Sequence, residues 1–241
     1  MAVTSAIILA GGLGTRLRQA VPDLPKPLAP IEGRPFLEYQ MDYWIAEGVR
    51  RFVLSVGYKH DLIERHFGRR YQGAEIDYAV EAEPLGTGGG LLLAADRIES
   101  PGPWLVLNGD TFFEVRLATL MAFHREKQPD ITLSLFRVAH NGRYMGVELD
   151  GESRITRLKT APTGQAQLIN GGVYLLGASA LTGLDYHPGE RVSLEDEMLG
   201  KAITAGKRIF GCPADGRFID IGIPEDYARA AHVFARPEAR T

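Results

Sequence analysis

Between Gly11 and Lys26 the chain gathers the groups that suit a polyphosphate. Gly11-Gly12-Leu13-Gly14-Thr15-Arg16 follows an apolar run ending at Ala10, and Pro25-Lys26-Pro27 comes after a short polar spacer. A buried strand that opens into a glycine turn brings backbone N–H groups close to phosphate. The forked guanidinium of Arg16 and the ammonium of Lys26 supply matching positive charge. The turn is not a P-loop, because no Gly-Lys-Ser/Thr closes it. It is also a poor dinucleotide fingerprint, since Leu17 stands where a third glycine would permit close helix packing. Glycines alone would serve a strand-to-helix turn equally well. The two cations point to a nucleoside triphosphate.

Two aspartates carry a second signal. Asp110 follows the apolar run Trp104-Leu-Val-Leu and the pair Asn108-Gly109, so it falls at the carboxyl end of a buried strand. In open α/β sheets that edge is where ligands bind. Asp220 ends another apolar run before a Gly-x-Pro turn. Each aspartate on its own could simply cap the next segment. Together they could hold one Mg²⁺ against a transferred phosphoryl group. The six histidines show no metal spacing, and nothing supports Ser-His-Asp or Cys-His chemistry.

The order of these segments resembles the sugar-1-phosphate nucleotidylyltransferases, which join a nucleoside triphosphate to a sugar 1-phosphate and release pyrophosphate. Leu9-Ala-Gly-Gly-Leu-Gly-Thr-Arg-Leu17 with Pro25-Lys26-Pro27 looks like their signature. Glu81-Ala82-Glu83-Pro84-Leu85-Gly86-Thr87-Gly88-Gly89 looks like their base-reading loop, and Asn108-Gly109-Asp110 like their metal-binding strand end. Asn170-Gly171-Gly172 looks like their sugar-binding segment, and Phe218 to Pro224 like their second metal-binding segment. The likeness covers nearly the whole chain. Gly33-Arg34-Pro35-Phe36-Leu37-Glu38-Tyr39 and Leu54 to Lys59 further resemble the D-glycero-α-D-manno-heptose 1-phosphate guanylyltransferases, as does Gln19-Ala20-Val21 after the signature.

The resemblance implies roles. Leu9, Gly11, Gly12, Gly14, Thr15, Arg16, Lys26, Glu81, Pro84, Gly86 and Thr87 would bind the nucleotide. Asn108, Gly146, Lys159, Asn170, Gly171 and Glu195 would bind the sugar phosphate. Asp110 and Asp220 would bind Mg²⁺, with Arg16, Lys26 and Asp110 catalytic. Arg16 suits the departing β- and γ-phosphates, and Lys26, stiffened between prolines, suits the α-phosphate. Glu81 only accepts hydrogen bonds, which fits the adjacent N1–H and 2-amino donors of guanine and favours GTP. The implied product is GDP-heptose for a surface polysaccharide. Mannose 1-phosphate with GTP, or glucose 1-phosphate with dTTP or UTP, are the rival pairs. A non-catalytic nucleotide-sugar sensor is the rival of another class. One departure stands out: where the family has Glu-Lys-Pro, with the lysine on the sugar's phosphate, this chain has Thr160-Ala161-Pro162.

The elements that must position these residues are legible from periodicity. Apolar runs at Ala6–Ala10, Arg51–Val56, Ile76–Val80 and Trp104–Leu107 predict buried strands. Helices are expected over Pro35–Glu47, Lys59–Phe67, Thr87–Arg97 and Val115–Glu126. The alternation predicts an α/β fold: a Rossmann-like, mainly parallel mixed sheet sandwiched by helices. The resemblance makes it of the nucleotide-diphospho-sugar transferase type. The second half reads as strands at Ile131–Val138, Met145–Leu149, Ile155–Leu158 and Leu168–Leu176, forming a mixed region laid over the nucleotide half. Helices are expected at Leu194–Ala205 and Glu225–Ala235. Residues 1–241 read as one domain, with 1–130 mainly for the nucleotide and 131–241 mainly for the sugar phosphate. The net charge of −3 over 241 residues argues against nucleic acid as partner. The single Cys212 forms neither an internal disulfide nor, alone, a zinc site. No signal peptide or membrane span is evident, so the expected location is cytoplasmic. A homodimer contact could sit on the 35–47 helix or the second half.

Overall fold

The computed structural model describes residues 3–17, 20–98, 102–139, 144, 146–160 and 166–235, without the side chains of Lys159 and Thr160. The apolar runs of the first half form parallel strands: β1 (Ser5–Ala10) lies between β4 (Arg51–Val56) and β7 (Trp104–Asn108), and β4 pairs β6 (Ala74–Val80). Helices α1 (Phe36–Ala46), α2 (His60–Phe67), α3 (Gly86–Ala95) and α4 (Leu117–Lys127) alternate with them. Short pairs β2 (Pro30–Ile31) with β3 (Arg34–Pro35), and β5 (Arg70–Tyr71) with β6, decorate the connections.

Side chains alternate between the two faces of the sheet, and each face has its own core. Ile8, Phe52, Leu54, Leu105 and Leu107 pack with Leu37, Met41 and Trp44 of α1 and with Ile63 and Leu120. Ile7, Val53 and Val106 pack with Leu91 and Ala94 of α3 and with Leu194, Met198 and Leu199. Burial on both faces explains why these strands read as continuous apolar runs rather than alternating ones.

The second-half strands do not lie over the first half; they extend the same ten-stranded sheet. The long strand β12 (Gln167–Leu176) runs antiparallel to β7 at its end and to β10 (Gly146–Leu149) at its start. Its other edge pairs β9 (Ile131–Val138), with a register shift between Asn170 and Tyr174. β11 (Ile155–Thr160) closes one edge beside β10. β13 (Ile209–Ala214) pairs β9 in parallel; the sequence hides this strand, since Gly211 and Pro213 interrupt its apolar pattern. Gly211 is needed because a β-carbon there would collide with the Leu135 side chain, and Pro213 falls in a strand that β9 bonds on one side.

A small third cluster sits under the phosphate loop. The three-residue strand β8 (Thr111–Phe113) pairs β14 (Phe218–Asp220), and Phe112 and Ile219 from this ribbon pack with Leu17, Phe36, Ile221 and Ala230. Ala230 belongs to α6 (Pro224–Phe234). The stretch expected as one helix from Leu194 is a π turn over Leu194–Met198 followed by α5 (Leu199–Thr204). The site is therefore carried by strand ends that the sheet core holds in place. Leu107→Ala, at a fully buried position one residue before Asn108, should destabilise the protein by about 2–5 kcal/mol in urea unfolding.

Candidate active site

The carboxyl ends of β1, β6 and β7 open into two adjoining clefts, continued by a third under β12. A central cleft of about 340 Å³ is lined by Leu9, Gly12, Gly14, Thr15, Arg16, Lys26, Thr87, Asn108, Asp110, Glu195 and Gly222. A second, of about 180 Å³, is lined by Leu9, Gly11, Gly12, Ser55, Glu81, Pro84, Gly86, Thr87, Gly90 and Arg191. The third, of about 290 Å³, holds Asn108, Asp110, Asn170, Gly172, Glu195 and Asp220 beside an apolar wall including Val147, Leu158, Ile169 and Phe218. Among the described residues no histidine or cysteine lines these three clefts.

In the central cleft Lys26 pairs with Asp110. Lys26 begins a single 3₁₀ turn (Lys26–Leu28) whose Pro27 and Leu28 are buried, so the ammonium is presented from a fixed mount. Its Nζ donates to Asp110 Oδ2, with Lys26 only 12% exposed and Asp110 40% exposed. Burial works against ionisation of Asp110, but the Lys26 charge and hydrogen bond outweigh it and hold the carboxyl below its ordinary value. Asp220 arrives beside this pair because β14 pairs β8 with Asp220 opposite Thr111, and Ile221 N–H donates to Asp110 O at 2.9 Å. The Asp220 Oδ1 atom accepts from Gly222 N–H at 2.6 Å. Arg16 is exposed on the rim of the cleft.

The residues present fit a divalent cation with hard oxygen ligands. Among the described residues no group of three or more His, Cys, Asp or Glu could hold a metal ion by itself. Two carboxylates brought together by the β8–β14 ribbon leave most of the coordination to phosphate oxygens and water, which is the habit of Mg²⁺. The Lys26 ammonium at Asp110 shows that the position accepts a cation.

The second cleft is organised around Glu81, which is 8% exposed. Ser55 Oγ donates to Glu81 Oε1 at 2.9 Å, and Leu85 N–H donates to Oε2 at 3.0 Å. A carboxylate has about four acceptor positions, so further donors can be received. The carboxylate reaches this place through gaps left by missing side chains. A β-carbon on Gly11 would overlap Oε1, and one on Gly90 would lie 2.9 Å from it. Sequence reasoning missed Ser55; the signal was a lone hydroxyl within the apolar strand Phe52-Val53-Leu54-Ser55-Val56.

Glu195 ties the nucleotide side to the third cleft. Thr87 Oγ1 donates to its Oε2 at 2.6 Å. Asn108 Nδ2 and Tyr174 OH donate to its Oε1 at 3.1 and 3.0 Å. Tyr174 in turn accepts from Asn170 Nδ2 at 2.7 Å, and Asn170 Oδ1 accepts from Gly172 N–H at 3.0 Å. Burial, and then the Glu195 charge, push the Tyr174 hydroxyl well above the ordinary phenol range, so it stays a neutral donor. Tyr174 was not among the expected site residues, because a tyrosine in an apolar strand reads as core.

The expected sugar residues divide. Asn108, Asn170 and Glu195 line the third cleft, whereas Gly171 faces Phe113, and its neighbour Gly172, at φ +71°, borders the cleft instead. Gly146 lies in β10, one residue before the lining residue Val147. Lys159 lies in β11, and its side chain is outside the described residues, as is the whole of Ala161-Pro162.

Residues 5–236 match the family model described as nucleotidyl transferase. Over 225 residues the chain is 40% identical to the D-glycero-alpha-D-manno-heptose 1-phosphate guanylyltransferase of Aneurinibacillus thermoaerophilus, spanning 93% of this chain and 96% of that one. It is 37% identical over 222 residues to the enzyme of the same name from Campylobacter jejuni, spanning 92% and 96%. The crystal structure of HddC from Yersinia pseudotuberculosis complexed with GMP-PN superposes with a TM-score of 0.84 at 33% identity, over 97% of this chain and 100% of that one. Among the described residues no helix is long and apolar enough to cross a membrane.

The Lys26–Asp110 pair makes stability depend on pH in a defined direction. Because the folded carboxyl titrates below its ordinary 3.8, the contribution is fully present above that value and is lost as pH falls below it. Lys26→Met should raise the Asp110 pKa in the ligand-free protein. The stability gap between wild type and variant in urea unfolding should be widest at neutral pH and should narrow at pH 3.

Proposed function

The chain belongs to the nucleotidyl transferase family, and we propose that it transfers GMP from GTP to D-glycero-α-D-manno-heptose 1-phosphate, giving GDP-heptose and pyrophosphate. The observation that carries this reading is the arrangement of a buried acceptor-only carboxylate, Glu81, beside a cationic cleft holding Lys26 and Asp110. Guanine alone among the common bases offers adjacent N1–H and 2-amino donors, and Glu81 has acceptor positions left to receive them. The heptose assignment draws on the relatives at 37–40% identity.

The mechanism asks little covalent chemistry of the protein. An oxygen of the sugar's phosphate attacks the α-phosphorus, a new P–O bond forms, and the bond to the bridging oxygen breaks to release pyrophosphate. A phosphate monoester is largely dianionic at neutral pH, so the nucleophile needs no base. Catalysis is then positioning and charge stabilisation. Gly12 to Thr15 cradle the phosphates, and Arg16 meets the departing β- and γ-phosphates. Lys26 leaves Asp110 for the α-phosphate, where negative charge develops. Asp110 and Asp220 would hold Mg²⁺, whose charge screens the phosphate oxygens from the incoming nucleophile. Asn108, Asn170 and Glu195 border the cleft that takes the sugar. With GTP as substrate, the reaction belongs in the cytoplasm.

Pyrophosphate release with Mg²⁺, crossing GTP, ATP, CTP, UTP and dTTP with heptose, mannose and glucose 1-phosphates, tests the reading. Release should be confined to GTP with the heptose; turnover with mannose only would keep the chemistry and move the acceptor. Glu81→Gln, which presents a donor to the guanine edge or withdraws an acceptor, should lower kcat/KM for GTP by about 10²–10⁴-fold and narrow the gap to UTP and dTTP. An unchanged preference would remove Glu81 from base reading.

A further inference from the structure

One buried polar side chain has no part in the clefts yet governs the turn that carries Asp110. Gln40 sits on α1, 1% exposed, on the helical face that also buries Phe36, Leu37, Met41 and Trp44. An apolar residue would be expected at such a position. Instead the Gln40 amide nitrogen donates to two main-chain carbonyls, Asn108 O at 2.9 Å and Thr111 O at 2.7 Å. Those carbonyls bracket Gly109 and Asp110. The amide cannot be turned over, because its oxygen would then face two carbonyl oxygens.

The rest of the turn is tied from other sides. Gly109 N–H donates to Leu9 O, and Asp110 O accepts from Ile221 N–H, each at 2.9 Å. β1, the residue after β14 and α1 thus hold peptide groups along one turn, and Gln40 does so from the helix layer. We propose that Gln40 is a positioning residue for the transfer reaction: by holding the Asn108 and Thr111 carbonyls it aims the Asp110 carboxylate at the metal and phosphates. The proposal rests on the function given above. It reaches the acceptor side as well, since Asn108 also donates to Glu195 at 3.1 Å.

Partners that hold a metal ligand in place are typically worth about 10–100-fold in metal affinity or activity. Gln40→Leu keeps an apolar fit to its helix neighbours and removes both donors. Gln40→Glu keeps the shape and donates at most one hydrogen bond, when protonated; it carries the same test should the leucine variant fail to fold. The expected results are a kcat about tenfold or more below wild type, a KM for GTP within about threefold, and a raised Mg²⁺ requirement. Mn²⁺ titration followed by electron paramagnetic resonance, on the full chain with a non-hydrolysable GTP analogue, should show affinity weakened about tenfold, with Gln40→Glu between Gln40→Leu and wild type. Mn²⁺ affinity and kcat within twofold of wild type in folded variants would overturn the proposal. So would a loss of stability and GTP affinity with Mn²⁺ affinity unchanged. If the wild type transfers no nucleotide while Mn²⁺ affinity still drops in the variants, the function fails and the positioning role stands.

Discussion

The ion pair between Lys26 and Asp110 is the interaction around which the rest of the site is arranged. Two opposite charges facing a cleft attract strongly when water is partly excluded, and here each side chain rises from a backbone that is held in place. Lys26 rides on a turn whose following residues, Pro27 and Leu28, are buried. Asp110 sits in a turn tied to β1, Ile221 and Gln40. The two mounts come from segments 84 residues apart, so the sheet core and the small Phe112–Ile219 cluster must be in place before the charges meet. In the ligand-free protein the Lys26 ammonium balances the Asp110 charge. Under the proposed mechanism a bound metal would take over that balance, leaving the lysine available to phosphate. A site that balances its own charges before substrate arrives avoids leaving a part-buried carboxylate unpaired.

One carboxylate links the clefts to one another. Glu195 accepts from Thr87, which lines the first two clefts, and from Asn108 and Tyr174 of the sheet. The loop itself is strapped to the same segment, with Gly88 N–H donating to Val192 O and Val192 N–H to Leu85 O, each at 2.9 Å. The π turn that carries Glu195 departs from regular helix at the segment whose side chain makes these bonds. The register shift in β12 between Asn170 and Tyr174 is a second such irregularity. It lies where β12 leaves β10 for β7, next to Asn170 and Gly172 on the third cleft.

The sequence made the strand ends legible because burial on both faces leaves no ambiguity of period. Gly11 to Arg16, Glu81 and Asp110 all follow such runs. What it concealed has physical causes. β8 and β14 are three residues each, too short to show a period, yet they bring Asp220 to Asp110. β13 is broken by a packing glycine and an edge proline. Ser55, Gln40 and Tyr174 look like core positions, and only their partners, far apart in the chain, reveal their work. Gly171, expected among the sugar-phosphate residues, faces Phe113, where a β-carbon would collide with the ring.

The most direct measurement is a crystal structure of the full chain with Mg²⁺ and a non-hydrolysable GTP analogue. The account predicts Lys26 Nζ drawn away from Asp110 and onto the α-phosphate, Asp110 and Asp220 on the metal, and the guanine N1–H and 2-amino group on Glu81. An intact Lys26–Asp110 pair with the nucleotide fully bound would contradict it.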